Sequence, residues 1–193
     1  MKRIKVKKKS SVTLKGVYKF TKAKLETKEQ FSLHEKIKRY LEEGREAIDL
    51  IRKLNSICET KVFVEENIIV TSGRTMIANN LVATSPTDVM RINYTALGDS
   101  QTAVANGDTT LGNEVYRKTT ASYTNSANVA YVTAFYTADE DDDTYHEAGL
   151  FCDATAAADN GVLFSHVLLN QPTGIVKSNT ETLTIDYTLT VNW

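Results

Sequence analysis

The stretch that decides the fold is the final run Glu181-Thr182-Leu183-Thr184-Ile185-Asp186-Tyr187-Thr188-Leu189-Thr190-Val191-Asn192-Trp193. Apolar and polar residues alternate along it, and the apolar members are Leu183, Ile185, Tyr187, Leu189 and Val191. Successive side chains of an extended strand point to opposite faces, so a period of two places these five residues on one face. The run therefore predicts a β-strand that covers a hydrophobic core.

From residue 60 onward the chain is rich in Thr, Ser and Asn, and short apolar runs recur between turn residues. Ser72 is placed to cap one embedded helix over 73–82. Many short strands with turn-rich connections are typical of a sandwich or a barrel. Residues 60–193 are thus predicted to be a mainly β domain, an antiparallel β-sandwich or barrel with one embedded helix. The candidate strands are 61–70, 89–96, 115–123, 127–138, 146–152, 162–169, 174–178 and 182–192.

Residues 25–59 form a predicted helical segment. Thr27 and Gln30 have the spacing of a capping box, which satisfies free backbone N–H groups at a helix start. Apolar residues then recur at alternating steps of four and three, which places them on one stripe. Gly44 interrupts the stripe, so a helical hairpin or a helix kinked at Gly44 is favoured over a coiled-coil seam between subunits. The residues predicted to pack this segment against its neighbour are Leu33, Ile37, Ile51 and Leu54.

Charge is distributed unevenly along the chain. Residues 1–60 contain 17 Lys and Arg against 8 Asp and Glu, whereas residues 61–193 contain 6 against 16, giving net charges of +9 and −10. Residues 1–24 have no acidic residue and are predicted to be a basic extended arm that stays mobile until it lies against something acidic. The residues predicted to bind an acidic partner are Lys2, Arg3, Lys5, Lys7, Lys8 and Lys9.

The candidate partners of the arm are the acidic body of this or a neighbouring subunit, and nucleic acid. Lysines can replace the counterions that condense along phosphates. The arm contains few aromatic residues on which bases could stack, and no recognisable reading motif, so the sequence does not favour nucleic acid.

The run of carboxylates at 139–143 is the sharpest local feature. Asp139, Asp141 and Asp143 form a weak calcium candidate, because Thr144 stands where an EF-hand loop needs Gly and Leu150 stands where it needs Glu. The alternatives are a solvated hairpin tip and a tip that docks the basic arm of a neighbouring subunit.

Other motifs for chemistry are missing from the sequence. The histidines and cysteines lack zinc-ligand spacing, and no G-x-S-x-G or phosphate-binding loop occurs. No apolar stretch is long enough to span a bilayer. We therefore expect no enzyme activity, no cofactor and no membrane contact, and we expect Arg74, Arg117 and Glu147 to make internal ion pairs.

Several short segments carry a pattern by their order. They are NIIV (67–70), SGR (72–74) with IA (77–78), ALGD (96–99), GDTTLGNEVYRK (107–118), EAGLF (147–151), GVLFS (161–165) and the final strand. Together they resemble the small β-rich structural proteins of tailed bacteriophages and are distantly similar to the N-terminal attachment domain of phage tail-collar and tail-fibre proteins. The resemblance covers roughly residues 61–193.

The resemblance implies a virion structural protein, made in the host bacterial cytoplasm and assembled with other virion proteins. It implies an adaptor, collar or fibre-attachment component of the tail, neck or baseplate, acting as a homo-oligomer with a trimer favoured. This sequence carries no fibrous shaft or receptor-binding tip after residue 193, so an adaptor or collar is expected rather than a fibre. The alternatives are a capsid decoration (cement) protein on the head surface, a nucleic-acid-binding protein that uses the basic arm, and a carbohydrate-binding sandwich.

Overall fold

A computed structural model describes residues 13–82, 90–140 and 142–192. Over these residues the helices are α1 (Lys28–Glu42), α2 (Ile48–Ile57) and α3 (Thr71–Val82). The strands are β1 (Thr13–Lys24), β2 (Glu59–Glu66), β3 (Ile68–Ile69), β4 (Ile92–Gly98), β5 (Glu114–Thr119), β6 (Ser122–Ser126), β7 (Val129–Tyr136), β8 (Thr144–Tyr145), β9 (Glu147–Cys152), β10 (Val162–Leu168), β11 (Ile175–Val176) and β12 (Glu181–Asn192).

Two five-stranded antiparallel sheets face each other and form a β-sandwich. Sheet A has the strand order β2-β1-β12-β7-β6, and sheet B has the order β3-β10-β9-β4-β5, while β11 and β8 form a small separate sheet. The main core lies between sheets A and B and includes Tyr18 and Tyr187 from sheet A and Leu97, Leu150 and Phe164 from sheet B. The prediction of a mainly β, antiparallel fold is confirmed, and its form is the sandwich.

Strand β12, the final run of the sequence, is the middle strand of sheet A. Leu183, Ile185 and Tyr187 are buried in the main core, as the alternation predicts. The opposite face of β12 is partly covered as well. Thr184 Oγ1 accepts a hydrogen bond of 3.0 Å from Asn55 Nδ2 of α2.

Strand β1 differs from the predicted arm. Thr13–Lys24 is extended, but it lies in sheet A between β12 and β2, and Tyr18 and Phe20 are fully buried. The acidic neighbour of this basic segment is its own domain, since Lys22 Nζ lies 2.9 Å from a carboxylate oxygen of Glu181. Alternation places Tyr18 and Phe20 on the core face of β1 and Lys15, which pairs with Glu66 of β2, on the opposite face. Lys22 continues the core-facing row toward the end of β1, where its ammonium group reaches Glu181. The boundary placed at residue 24 therefore does not coincide with an edge of the β domain.

The helical segment consists of two helices packed on the outer face of sheet A. The predicted capping box is present. The Gln30 backbone N–H donates to Thr27 Oγ1 at 3.3 Å, and the Gln30 Oε1 accepts the Thr27 backbone N–H at 2.9 Å. The chain leaves α1 at Gly44, whose φ of 67° lies in the left-handed region that favours glycine. The apolar stripe is covered by the chain's own sheet, through a cluster that includes Ile37, Ile51, Leu54 and Phe135.

Three predicted elements are divided or shifted. The strand predicted over 61–70 is interrupted at Asn67, because β2 joins sheet A and β3 joins sheet B. The strand predicted over 115–123 becomes β5 and β6, which also lie in different sheets. Ser72 lies inside α3 instead of capping it, and its Oγ donates to the Leu163 carbonyl at 2.7 Å.

Candidate functional site

A long loop, residues 99–113, lies on the outer face of sheet B, and we call it the clamped loop. Its Leu111 side chain is buried there in a cluster with Phe151 and Leu163. Gly149 of β9 makes this approach possible. A Cβ atom at Gly149 would lie 2.8 Å from Leu111 Cδ2 and 2.9 Å from Leu163 Cδ1, which is closer than packed carbon atoms approach.

Glu147, at the start of β9, holds the end of the clamped loop. Its side chain is fully buried, and its two carboxylate oxygens accept the backbone N–H groups of Gly112 at 3.0 Å and Asn113 at 2.8 Å. Gly98 of the adjacent β4 leaves space for this carboxylate, because a Cβ there would lie 2.5 Å from Glu147 Oε1. A buried carboxylate is stable in this position because fixed donors replace the water that it loses.

His166 of β10 links Glu147 to the middle of the clamped loop. Its Nε2 lies 2.7 Å from Glu147 Oε2, and its Nδ1 lies 2.8 Å from Asp108 Oδ2. A neutral imidazole has one N–H, whereas an imidazolium has two, so two carboxylates on opposite ring nitrogens select the protonated ring. We call Asp108, Glu147 and His166 the clamp.

The pKa values of the clamp follow from the same geometry. Burial alone would lower the pKa of His166, but the hydrogen bonds to Glu147 and Asp108 outweigh burial and raise it. Burial alone would raise the pKa of Glu147, but the bonds from His166, Asn113 and Gly112 outweigh burial and lower it. Both shifts favour the ion pair.

Arg117 of β5 makes a second internal connection on the same side. Its side chain is almost fully buried, and its guanidinium binds both carboxylate oxygens of Glu114, at 2.5 and 2.7 Å. A third nitrogen donates to the carbonyls of Thr155 and Asn160, at 2.9 and 3.0 Å. The internal ion pairs expected for Arg117 and Glu147 are confirmed.

Arg74 behaves differently from Arg117 and Glu147. Its guanidinium donates to Thr71 Oγ1 at 3.3 Å and to the side-chain carbonyl of Asn106 at 3.1 Å, so its internal partners are neutral oxygens. Asn106 belongs to the clamped loop, and Arg74 therefore ties α3 to that loop.

Two concavities adjoin the loop at Gly107, one of about 290 Å³ beside His166 and one of about 530 Å³ beside Met76 of α3. Both ring nitrogens of His166 are held by carboxylates, so the ring is not available as a general base. Across the described ranges, no group of three or more His, Cys, Asp or Glu side chains is arranged to hold a metal ion.

The acidic tip at 139–143 is held by a buried lysine. Lys177 Nζ donates to the carbonyls of Ala138, at 3.3 Å, and Glu140, and it lies 3.5 Å from Asp142 Oδ1. The Lys177 side chain is fully buried. An ammonium group thus supplies positive charge among the oxygens of this tip.

The calcium candidate is distributed over different environments. Asp139 accepts hydrogen bonds from Lys38 Nζ and from Thr137 Oγ1, Asp143 is exposed, and Asp141 lies outside the described residues. The hydrogen bond from Lys38 lowers the pKa of Asp139 to about 2, against the opposing effect of burial and with help from Thr137. Asp139 therefore belongs to an ion pair between α1 and the tip.

The remaining predicted site residues fall into two groups. Three of the helix-packing residues are buried and the fourth is partly buried, all in one cluster; they are Ile37, Ile51, Leu54 and Leu33. The basic residues predicted to bind an acidic partner lie outside the described residues; they are Lys2, Arg3, Lys5, Lys7, Lys8 and Lys9.

The clamp is not apparent from the sequence alone. Asp108 and Glu147 lie 58 and 19 positions from His166, so no local spacing connects them. The available signal is a charged residue close to a glycine within the segments whose order along the chain carries the resemblance. Glu147 and Gly149 belong to one such segment, and Asp108 follows Gly107 in another.

Comparisons of the chain with protein-family models, with curated proteins and with solved structures find no match. Of the helices that the structure describes, none has the length and apolar character needed to cross a membrane. The function is therefore inferred from the residues of this chain.

Proposed function

We propose that this protein is a bacteriophage virion structural protein that acts by protein–protein assembly. The proposed place is the tail, neck or baseplate, where the protein is an adaptor, collar or fibre-attachment component. The role needs no bound cofactor and no chemical step. It needs a rigid body and surfaces that bind other virion proteins.

One observation carries the proposal. The segments whose order resembles phage attachment modules lie together in three dimensions, apart from the final strand. They contribute β3, α3, β4, the end of the clamped loop, β5, β9 and β10, which is sheet B with its outer covering. The glycines of these segments permit close contacts, as at Gly98 and Gly149, and Glu147 supplies the central hydrogen-bond acceptor.

The charge distribution supports assembly through the N-terminal end. The first twelve residues contain six basic residues and no acidic one, and they precede β1 directly. A basic segment next to a rigid sandwich suits an acidic surface on another virion protein, where ion pairs add to main-chain contacts.

The proposal is tested on purified particles of the phage that encodes the chain. Quantitative mass spectrometry should find the protein in the particle at a low and fixed copy number, as expected for a tail, neck or baseplate component. A copy number comparable to that of the major capsid protein would favour capsid decoration instead. Absence from purified particles would contradict any virion role.

A pair of variants tests the basic residues that precede β1. Replacing Lys2, Arg3, Lys5, Lys7, Lys8 and Lys9 by Gln should reduce incorporation into particles, because the ion pairs with an acidic partner are lost. The matched control replaces exposed basic residues of α1 and α2 by Gln; these are Lys28, Lys36, Arg52 and Lys53. Equal incorporation of both variants would contradict a role for the arm.

A further inference from the structure

Strand β2 forms one edge of sheet A, and its second side has no partner strand among the described residues. It spans Glu59–Glu66, which makes it longer than β6, β5 and β3, the other edge strands of the sandwich. A long open edge exposes backbone N–H and C=O groups that can pair with another chain.

The hydrogen-bond pattern shows which residues face the open side. The N–H of Leu25 donates to the carbonyl of Thr180 in register with the β1–β12 ladder, so odd-numbered residues of β1 bond to β12. The N–H of Asn67 donates to the carbonyl of Gly16, so even-numbered residues of β1 bond to odd-numbered residues of β2. The outward backbone groups of β2 therefore belong to its even-numbered residues, Thr60, Val62, Val64 and Glu66.

The side chains of β2 divide in the same alternation. Val62 and Val64 are 51% and 60% exposed on the outer face of sheet A, which is unusual for neighbouring valines on one strand. Phe63 lies on the inner face of sheet A and is partly buried against the main core. On either side of Phe63, Lys61 and Glu65 carry opposite charges on the same face.

We propose that β2 pairs with β2 of a second copy of this chain, antiparallel and through a two-fold axis at Phe63. In this register Val62 lies opposite Val64 of the second copy, and Lys61 lies opposite Glu65 of the second copy. The even-numbered residues exchange the hydrogen bonds, as their outward backbone groups require. The two sheets A join into one continuous sheet.

Backbone direction and charge together select this register. Only registers that place even-numbered residues opposite each other can form the ladder. Centring the axis on Val62 would place Glu59 opposite Glu65, a pair of like charges that disfavours pairing. Centring it on Val64 would shorten the paired region to residues 62–66. The register centred on Phe63 pairs residues 60–66 and matches each Lys61 with a Glu65.

The contact is isologous, so it closes as a dimer instead of the trimer that the resemblance implies. It does not depend on the proposed virion role, because the purified protein should form it alone. Three sources of affinity act together: the main-chain bonds, the two Val62–Val64 pairs and the two Lys61–Glu65 pairs.

The test is a charge exchange followed by sedimentation equilibrium of the full chain over a range of concentrations. Lys61→Glu places Glu opposite Glu65 twice, and Glu65→Lys places Lys opposite Lys61 twice. Each single variant should raise the dimer dissociation constant by about tenfold or more. An equimolar mixture of the two variants should restore dimers, because each contact in the heterodimer again joins Lys and Glu.

Two controls separate this contact from misfolding and from other surfaces. Glu65 also accepts the N–H of Asn170 at 3.1 Å, so thermal unfolding must show that each variant is folded. Leu81→Lys changes a leucine with 82% exposure on α3, which packs on β10 of sheet B, and should leave the dimer unchanged. Val62→Lys should weaken the dimer.

The proposal is overturned if the wild-type chain stays monomeric at high concentration, or if the mixture forms no heterodimer although both variants are folded. It is also overturned if deletion of residues 1–12 abolishes dimers while Lys61→Glu leaves them intact. That result would identify residues 1–12 of a second copy as the segment that binds this edge.

Discussion

The outer face of sheet B and the open edge of sheet A each carry a carboxylate, but the two carboxylates are in opposite environments. Glu147 on sheet B is fully buried and binds Gly112, Asn113 and His166. Glu66 on β2 has a side chain that is 71% exposed, although it lies 2.5 Å from Lys15 Nζ. A carboxylate surrounded by fixed donors stabilises one conformation, whereas an edge that keeps its polar groups in water is free to bind. The molecule thus separates a stabilising face from a binding edge.

The largest expected effect is that of breaking the clamp. Glu147→Gln retains the size of the side chain, but it removes the charge and places an amide donor against a backbone N–H. We expect a loss of about 3–5 kcal/mol in the free energy of unfolding, as when one partner of a buried ion pair is removed. Urea unfolding measures the change.

The matched control for Glu147 is Glu66→Gln on β2. Its exposed pair with Lys15 should contribute about 0–1 kcal/mol to the free energy of unfolding. If the two variants lose equal stability, the clamp does not hold the fold as described.

A smaller effect is expected from filling the space below the clamped loop. Gly149→Ala places a methyl group 2.8 Å from Leu111 Cδ2, so the loop or the strand must move, at a cost of about 1–3 kcal/mol. Val64→Ala on the open edge should change the free energy of unfolding of the monomer by less than about 0.5 kcal/mol. Denaturant unfolding at low protein concentration measures the free energy of unfolding of both variants. Equal losses of stability in the two variants would contradict the close contact at Gly149.

The pH dependence of stability should reveal the clamp through two histidines with opposite shifts. The pKa of His166 is raised in the fold, so its contribution is complete below about 6.5 and is lost as the pH rises through the folded pKa. His34 is a buried residue of α1, and its Nε2 accepts the N–H of Ala138 at 3.1 Å. Burial lowers the pKa of His34, so its contribution is complete above about 6.5 and is lost as the pH falls through its folded pKa.

Stability should therefore be highest near pH 6.5, with an alkaline loss from His166 and an acid loss from His34. Unfolding free energies from about pH 5 to pH 9 should show both losses. His166→Gln should remove the alkaline loss, and His34→Gln should remove the acid loss. NMR titration of the wild-type imidazoles provides a direct check, and a pKa of His166 below that of His34 would contradict the assignment.

The smallest effect is expected at the acidic tip. Lys177 already supplies positive charge to this tip, so calcium at about 1 mM should leave the melting temperature unchanged. A rise of several degrees that a chelator reverses would show that the tip binds calcium in spite of Lys177.

Sequence reasoning succeeds where one element carries its own pattern. The alternation over 183–191 predicts β12, and the Thr27 and Gln30 pair predicts the start of α1. The same reasoning does not identify β1 as a strand of the core, because the charge of its lysines masks an alternation that places Tyr18 and Phe20 inside. Charge predicts behaviour in solution, and it does not exclude burial of the opposite face.

Contacts between distant segments are what the sequence alone does not provide. Predicting the clamp requires knowing that β9 and β10 are adjacent and that the clamped loop crosses their outer face. The outward backbone groups of Val62 and Val64 depend on the register between β1 and β2. Register is a property of the pair of strands, so it follows only from the structure.

The most direct test of the separation between the two regions is residue-resolved amide hydrogen exchange of the full chain at low and high concentration. At low concentration, the amides of Val62 and Val64 should exchange rapidly, while those of Phe63, Gly112 and Asn113 are protected. At high concentration, Val62 and Val64 should become protected and the others should not change. Equal protection of Val62 and Val64 at both concentrations, or rapid exchange of Gly112 and Asn113, would contradict a stabilising face opposed to a binding edge.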